Sequence, residues 1–281
     1  MTPDPTFLYL GEAHREGLAT LIYGVQSGKG FVLLTGEVGT GKTTLLHALL
    51  SQLDSSTASA FIFNPRLEPL DFFAILFKEL GIDKPCASKA DYLLALNEFL
   101  IDRLRNDEPT LLIIDEAQNL SPEMLEEIRL LSNLETPTSK LIQIMLVGQP
   151  ELNELLTRPE LRQLRQRIAL RHHLRPFDPK ELKDYVGERL AKAGYTGRGL
   201  FKRSALRELF TASGGTPRVI NNLCDAALLQ GYAREQAVVD GAAIREVAAG
   251  LDLANVTRTD DRMGGGRGVR RPRRRILRLF G

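Results

Sequence analysis

A glycine-rich stretch that contains a lysine and two threonines has the residue types needed to hold a phosphate group. Residues 36–43 read Gly-Glu-Val-Gly-Thr-Gly-Lys-Thr and match the pattern G-x-x-x-x-G-K-[ST] at every fixed position. Glycines let the backbone curl until successive N–H groups point at one anion, and a following helix adds the positive end of its dipole. Lys42 would place its charge on the terminal phosphates of a nucleotide. The predicted nucleotide-binding residues are Gly36, Glu37, Val38, Gly39, Thr40, Gly41, Lys42, Thr43 and Thr44.

An apolar run that ends in two acids supplies the second half of such a site. Residues 111–114 read Leu-Leu-Ile-Ile and lead directly into Asp115 and Glu116. A carboxylate at a strand end can hold Mg²⁺, a hard ion that prefers oxygen ligands, and the Thr43 hydroxyl can do the same. The next carboxylate can polarise a water molecule against the terminal phosphate. Alone, the pair could simply mark a strand that leaves the core. With the glycine-rich stretch it predicts ATP hydrolysis, with Asp115 and Thr43 as metal ligands and Glu116 as the base.

Short apolar runs alternate with helical patterns in the first part of the chain, and these elements must position the two motifs. Strand-length runs begin at Phe31, Ala60, Leu111 and Ile142, and a weaker fifth run covers residues 167–174. Near-continuous apolar runs between helices are typical of a parallel sheet that is covered on both faces. We therefore predict an α/β fold, with a three-layer αβα core over residues 1–176.

After Pro176 the pattern changes to helices alone. The predicted helices run from Asp178 to Ala193, Ser204 to Ala212, Pro217 to Ala233 and Asp240 to Ala249. Asp178 is a favourable N-cap, and Pro179 suits the first helical position because its missing N–H has no partner there in any case. We predict an all-helical second domain over residues 177–250, followed by a disordered basic tail over residues 251–281.

Composition excludes several classes of protein. The chain has 281 residues, of which 43% are apolar and 26% charged, so it is neither disordered throughout nor fibrous. No run reaches the ~18 consecutive apolar residues that a membrane-spanning helix needs. Two cysteines, Cys86 and Cys224, form neither a disulfide framework nor a metal-ligand pattern. These features predict a cytoplasmic chain, attached at most to a membrane surface.

The basic residues concentrate at the end of the chain. Residues 258–281 contain nine arginines and two aspartates, although the formal net charge of the whole chain is only +2. The segment 262–278 could bind an anionic membrane surface, because basic residues beside apolar ones suit lipid headgroups. It could equally bind nucleic-acid phosphates through counterion release. The third alternative is a solvated tail without a ligand.

Together these motifs resemble the AAA+ ATPases, a superfamily of P-loop NTPases. The closer resemblance is to the general secretion pathway protein A group, ExeA-like ATPases that include members from exopolysaccharide and exosortase loci. The resemblance covers residues 2 to about 250. The segments that show it are residues 2–10 (TPDPTFLYL), 13–16 (AHRE), 36–44 (GEVGTGKTT), 115–120 (DEAQNL), 147–152 (VGQPEL), 164–168 (LRQRI) and 215–221 (GTPRVIN).

The resemblance implies roles for residues outside the two motifs. Gln149 matches the sensor-1 position, where a polar group reads the terminal phosphate, although asparagine is more usual there. Arg218 matches sensor 2, which couples the nucleotide to the angle of a helical lid. Arg167, or else Arg165, matches an arginine that reaches the nucleotide of a neighbouring subunit. The alternatives are a polar loop residue for Gln149 and solvated surface arginines for the others.

The resemblance also implies a biological setting. It implies a homo-oligomer that binds ATP and Mg²⁺ and powers or regulates a secretion or exopolysaccharide export assembly. Its partners would be membrane proteins of that assembly, and its location cytoplasmic or peripheral on the inner membrane. The alternative is a DNA-binding ATPase of the transposition-helper or replication-initiator type, which shares the same core and lid. A further alternative is a nucleotide-dependent scaffold with negligible turnover. Family members usually begin about a dozen residues earlier, with an aromatic-rich lead into residues 2–5 (TPDP), so we expect this sequence to lack that lead.

Overall fold

The computed structural model describes residues 9–63, 68–137, 139–197 and 199–251. The strands are β1 (Phe31–Gly36), β2 (Ala58–Ile62), β3 (Thr110–Ile114), β4 (Gln143–Gly148) and β5 (Ile168–Leu174). The helices up to β5 are α1 (Glu12–Gln26), α2 (Lys42–Leu50), α3 (Pro69–Leu80), α4 (Lys89–Arg105), α5 (Pro122–Leu131), α6 (Glu151–Leu155) and α7 (Arg162–Arg167). After β5 come α8 (Pro179–Lys192), α9 (Arg203–Ser213), α10 (Pro217–Ala233) and α11 (Gly241–Gly250). The predicted basic tail lies outside the described residues, apart from Leu251.

The strands form one parallel sheet in the order β2-β3-β4-β1-β5. β1 lies between β4 and β5, and the chain leaves it through α2 to reach β2 at the far edge. At such a reversal of strand order, the loops at the carboxyl ends of the strands diverge and leave a crevice. This arrangement confirms the predicted α/β fold and places the ends of β1, β3 and β4 side by side.

The two faces of the sheet are covered by different helices. Phe31 and Leu33 belong to a core that includes α3, α4 and α5, whereas Val32 and Leu34 pack with α1 and α2. Every residue of β1 is buried, because successive side chains point to opposite, equally covered faces. The predicted three-layer arrangement is therefore confirmed.

Helices α8 to α11, which we call the helical region, surround a separate apolar core. Asp178 caps α8 by accepting hydrogen bonds from the amides of Lys180 and Glu181, and Pro179 occupies the first turn as predicted. A single parallel bridge between Phe201 and Val239 is the one departure from helices alone among the described residues of this region. It joins the segments that lead into α9 and α11.

Some element boundaries differ from the predicted ones for local reasons. The strand expected to begin at Ala60 begins at Ala58, because its pairing with β3 starts where Ala58 faces Thr110. For the helix after the glycine-rich stretch the sequence predicts a range from about Lys42 to Leu53. Helix α2 ends at Leu50 instead, and the amides of Ser51 and Gln52 bond back to its last turn. Within the described part of the chain, no helix is long and apolar enough to cross a bilayer.

Candidate active site

The loop between β1 and α2 has the backbone of an anion cradle. Gly39 and Gly41 adopt left-handed conformations with φ of 80° and 100°, which L side chains rarely adopt. A Cβ on Gly36 would lie 2.7 Å from the carbonyl oxygen of Leu174 in β5, so this position also excludes a side chain. The loop then enters α2 at Lys42, where the free N–H groups of the first turn favour an anion.

Lys42 is buried and bonded to its own loop. Its Nζ donates to the carbonyl oxygen of Gly36 at 2.7 Å and to that of Glu37 at 3.1 Å. Burial lowers the pKa of the ammonium group, and the nearby carboxylates of Glu116 and Asp115 oppose this effect. The loop thus surrounds the Lys42 side-chain nitrogen with its own carbonyl oxygens.

Thr43 and Asp115 meet across the space between α2 and the end of β3. The Thr43 hydroxyl donates to Oδ2 of Asp115 at 3.2 Å, and the Glu116 amide donates to Oδ1 at 2.9 Å. Asp115 is only 3% exposed, and this burial raises the pKa of its carboxyl group. A hydroxyl and a carboxylate side by side are hard oxygen donors of the kind that Mg²⁺ accepts. The residues present therefore fit a magnesium nucleotide.

Glu116 and Gln149 come together at the ends of neighbouring strands. Glu116 follows β3 with a left-handed φ of 53°, unusual for a residue with a side chain. Nε2 of Gln149, just after β4, donates to Oε2 of Glu116 at 3.1 Å. Gln118, which the sequence analysis did not single out, donates to the same oxygen at 2.5 Å. The predicted base thus lies in a side-chain network beside Asp115.

His14 is another residue of this region whose place the sequence analysis missed, since its sequence spacing matches no metal site. It is buried in α1, and its Nε2 lies 2.9 Å from the carbonyl oxygen of Thr40 in the loop. A carbonyl oxygen only accepts, so Nε2 carries the proton in this contact. Burial lowers the pKa of the ring and favours its neutral form. A Cβ on Gly41 would lie 3.1 Å from Nε2, so His14 of α1 packs directly against the loop. His14 does lie within residues 13–16, one of the segments that carry the family resemblance.

The helical region reaches the loop at the start of α10. The Arg218 amide donates to the carbonyl oxygen of Gly39 at 3.2 Å, and a Cβ on Gly39 would lie 2.7 Å from Cβ of Arg218. Arg218 itself is exposed. The structure therefore brings this predicted sensor residue to the loop through its backbone, which a sequence pattern cannot show.

Arg165 and Arg167 lie away from the other predicted site residues. Both are in α7, which enters β5 at Ile168, and Ile168 pairs with Phe31 at the start of β1. Because β1 and β5 are parallel, these arginines are at the opposite end of the sheet from the loop of their own chain. Arg167 donates to the hydroxyl of Ser132, whereas Arg165 is exposed.

Comparison with known proteins agrees with a site that fits a magnesium nucleotide. Residues 25–156 match the family model described as an AAA domain. General secretion pathway protein A of Aeromonas hydrophila is 46% identical over 236 residues, which are 83% of this chain and 43% of that protein. The chain thus spans less than half the length of this curated relative.

Solved structures with the same fold have much lower sequence identity. Cdc6p from Pyrobaculum aerophilum has a TM-score of 0.68 at 18% identity, covering 88% of this chain and 70% of that one. ORC2 of Aeropyrum pernix has a TM-score of 0.61 at 17% identity, covering 88% and 72%. RuvB of Thermotoga maritima, a Holliday junction branch migration motor, has a TM-score of 0.53 at 18% identity, covering 90% and 73%. At these identities the likeness shows the fold alone. The chain carries an AAA+ domain of the P-loop NTPase fold and is related to general secretion pathway protein A.

Proposed function

We propose that the chain binds ATP with Mg²⁺ between its sheet and its helical region and hydrolyses it. The contact between Thr43 and Asp115 at 3.2 Å, with Lys42 and Glu116 beside it, carries the proposal. A phosphate cradle alone would bind a nucleotide, but the second acid has no role in binding. The backbone N–H of Glu116 donates to Asp115, and the Glu116 carboxylate, which accepts hydrogen bonds from two glutamine amides, is suited to accept a proton from water.

Each residue of the site has a separate task in this proposal. The loop amides and the Lys42 ammonium bind and orient the phosphates, and Thr43 and Asp115 would hold the metal ion. When bound there, Mg²⁺ would neutralise charge that develops on the phosphate oxygens. Glu116 takes the proton of the attacking water, and Gln149 donates to Glu116 so that its carboxylate keeps one orientation.

The Glu116→Gln variant tests this proposal. It keeps the shape of the side chain and removes the base, so hydrolysis should fall by about 10²- to 10⁴-fold while ATP affinity stays unchanged. Phosphate release and ATP titration measure the two quantities separately. Glu160→Gln makes the same chemical change at an exposed acid outside the site. It is the control and should hydrolyse ATP at the parent rate. Hydrolysis at the parent rate by Glu116→Gln would refute the assignment.

We further propose that the active form is an oligomer in which one subunit's arginine reaches the next subunit's nucleotide. Arg165 and Arg167 cannot serve the loop of their own chain, because they lie at the other end of the sheet. Arg167 is the first candidate and Arg165 the second. An arginine supplied in this way can raise the rate by about 10³- to 10⁵-fold.

A mixing experiment tests the contribution in trans. Arg167→Ala and Lys42→Ala should each be inactive alone, whereas a mixture should regain activity. The Lys42→Ala subunits would supply Arg167 to the intact loops of the other variant. Arg165→Ala tests the second candidate in the same way. Mixed oligomers that form but remain inactive with either arginine variant would refute the proposal.

The relative's name points to a secretion pathway. With the family resemblance, we propose that the chain supplies energy to, or regulates, a secretion or exopolysaccharide export assembly at the inner membrane. Membrane proteins of that assembly would be its partners. The alternative of a DNA-binding ATPase gains no separate support, because the likeness to Cdc6p and RuvB shows the fold alone. We also propose the division into a core over residues 1–176 and a lid over residues 177–250. The role of the tail, at a membrane or on nucleic acid, stays a prediction because the tail lies outside the described residues.

A further inference from the structure

Gln118 is placed by an unusual turn directly after the proposed base. The left-handed conformation of Glu116 leads into a short 3₁₀ helix, Ala117–Asn119. This turn carries Gln118 back over the preceding carboxylate, where its Nε2 donates to Oε2 of Glu116 at 2.5 Å. A left-handed conformation at a residue with a side chain costs free energy, so it persists only where the surrounding structure holds it. Such conformations cluster at functional sites.

The other end of the Gln118 amide is bound to the neighbouring strand. Its Oε1 accepts a hydrogen bond from the backbone N–H of Gln149 at 3.1 Å. Because a backbone N–H can only donate, this contact fixes which end of the amide faces Glu116. A Cβ on Gly148 would lie only 2.6 Å from the same oxygen, so the end of β4 has room for Gln118 because residue 148 is glycine.

Three residues thus close a ring: the side chains of Gln118 and Gln149 both donate to Oε2 of Glu116, and the backbone N–H of Gln149 donates to Gln118. Among the described residues, none donates a hydrogen bond to the other oxygen, Oε1. Two donors on one oxygen fix the plane of the carboxylate, and the second oxygen is left to accept a proton from water.

We propose that Gln118 is a positioning residue for hydrolysis, which holds Glu116 in the orientation that presents Oε1 to water. It does so by linking Glu116 to the backbone at the end of β4. This inference rests on the proposed ATPase function. It assigns Gln118 no contact with the nucleotide, so its loss should slow the chemical step and leave binding intact.

The test compares Gln118→Met and Gln118→Glu with the full-length parent. Methionine keeps the length of the side chain and removes both hydrogen bonds, whereas glutamate keeps its shape but cannot donate to Glu116. We expect kcat to fall on the order of 10²-fold in both variants, because a misplaced base costs about that much. KM and the dissociation constant for ATP, measured without turnover, should stay within about twofold of the parent values. Asn119→Ala, an exposed position on the same turn, is the control and should keep the parent kcat.

A double-mutant cycle separates this role from general support of the loop. If Gln118 acts only through Glu116, adding Gln118→Met to Glu116→Gln should cost no further rate. A parent-like kcat in Gln118→Met, an equal loss in ATP affinity, or full additivity with Glu116→Gln would each overturn the inference. With an active parent these results leave the proposed function intact. A parent that hydrolyses no ATP overturns both.

Discussion

The sheet and the helical region both contact the phosphate-binding loop, but they differ in how their site residues are held by hydrogen bonds and burial. Lys42, Thr43 and Asp115 lie at the ends of paired strands or on the helix that follows, and they bond to one another or to the loop. Arg218 is exposed, and its contact with the loop runs through its backbone amide. The side-chain chemistry of the sheet is thus already assembled, whereas that of the helical region is not.

This difference suggests a division of labour between affinity and signalling. Buried, mutually bonded groups cost little further ordering when a nucleotide binds, so they can supply most of the affinity. An exposed arginine on a separate helical core can change partners when α10 moves relative to the loop. The sheet should therefore determine whether ATP binds, and the helical region should report that it has bound.

The largest effect is expected for Lys42→Ala. ATP affinity should fall on the order of 10²-fold, because a charge-assisted hydrogen bond contributes about 1.5–3 kcal/mol. Calorimetric titration with a slowly hydrolysed ATP analogue measures the change. Lys29→Ala, an exposed lysine just before β1, is the matched control and should bind like the parent. Unchanged affinity in Lys42→Ala would show that the loop lysine does not supply ATP affinity, and the proposed role of the sheet would be wrong.

A smaller effect is expected for Arg218→Ala. Affinity should fall by about fivefold, because an exposed ionic contact contributes about 1 kcal/mol. The same titration measures it, and Arg203→Ala at the exposed start of α9 is the control. A loss as large as that of Lys42→Ala would show that the helical region binds ATP as strongly as the sheet. The proposed division of labour would then be wrong.

The smallest effect is expected for Asp115→Asn, on stability in the absence of nucleotide. Burial raises the pKa of Asp115, so the folded state binds this proton more tightly than the unfolded state does. The contribution of Asp115 to stability is then fully present below its unfolded pKa of about 3.9 and is lost as the pH rises through its folded pKa. At pH 7 the asparagine variant should therefore unfold at a slightly higher urea concentration than the parent, because it carries no charge that burial penalises.

The effect of Asp115→Asn on stability should depend on pH. The advantage of Asp115→Asn should shrink as the pH is lowered from 7 through the folded pKa towards the unfolded pKa of about 3.9, because the folded parent takes up its proton before the unfolded chain does. Urea unfolding at both pH values measures it. Asp102→Asn, an exposed acid on α4, should show no such advantage. A destabilised Asp115→Asn at pH 7 would mean that attraction to Lys42 outweighs the cost of burial.

Local features of the fold could be predicted well from the sequence. The caps of α8, the proline at the start of α10 and the glycine-rich loop all depend on residues within a few positions of each other. The apolar run of β1 also predicts burial on both faces of the sheet, because the residues of one strand alone carry this signal. Boundaries were less certain where pairing with another strand sets them, as at Ala58 opposite Thr110.

The support around the site could not be predicted in the same way. His14 reaches the carbonyl of Thr40 across 26 positions, and Gln149 reaches Glu116 across 33. Gln118 stands only two residues from Glu116, but its second contact is with the end of β4. Such contacts depend on which strands are neighbours, and spacing along the chain does not reveal this.

The amino-acid sequence by itself therefore determined the chemistry available to this protein: a glycine loop, a lysine, a threonine and two acids in local patterns that have few other uses. The tertiary structure decided how these groups are held. Strand order places β3, β4 and β1 side by side, so that Asp115 meets Thr43 and Glu116 meets two amides. Hydrogen bonds act over about 3 Å, and only the folded chain brings residues from distant parts of the sequence within that range.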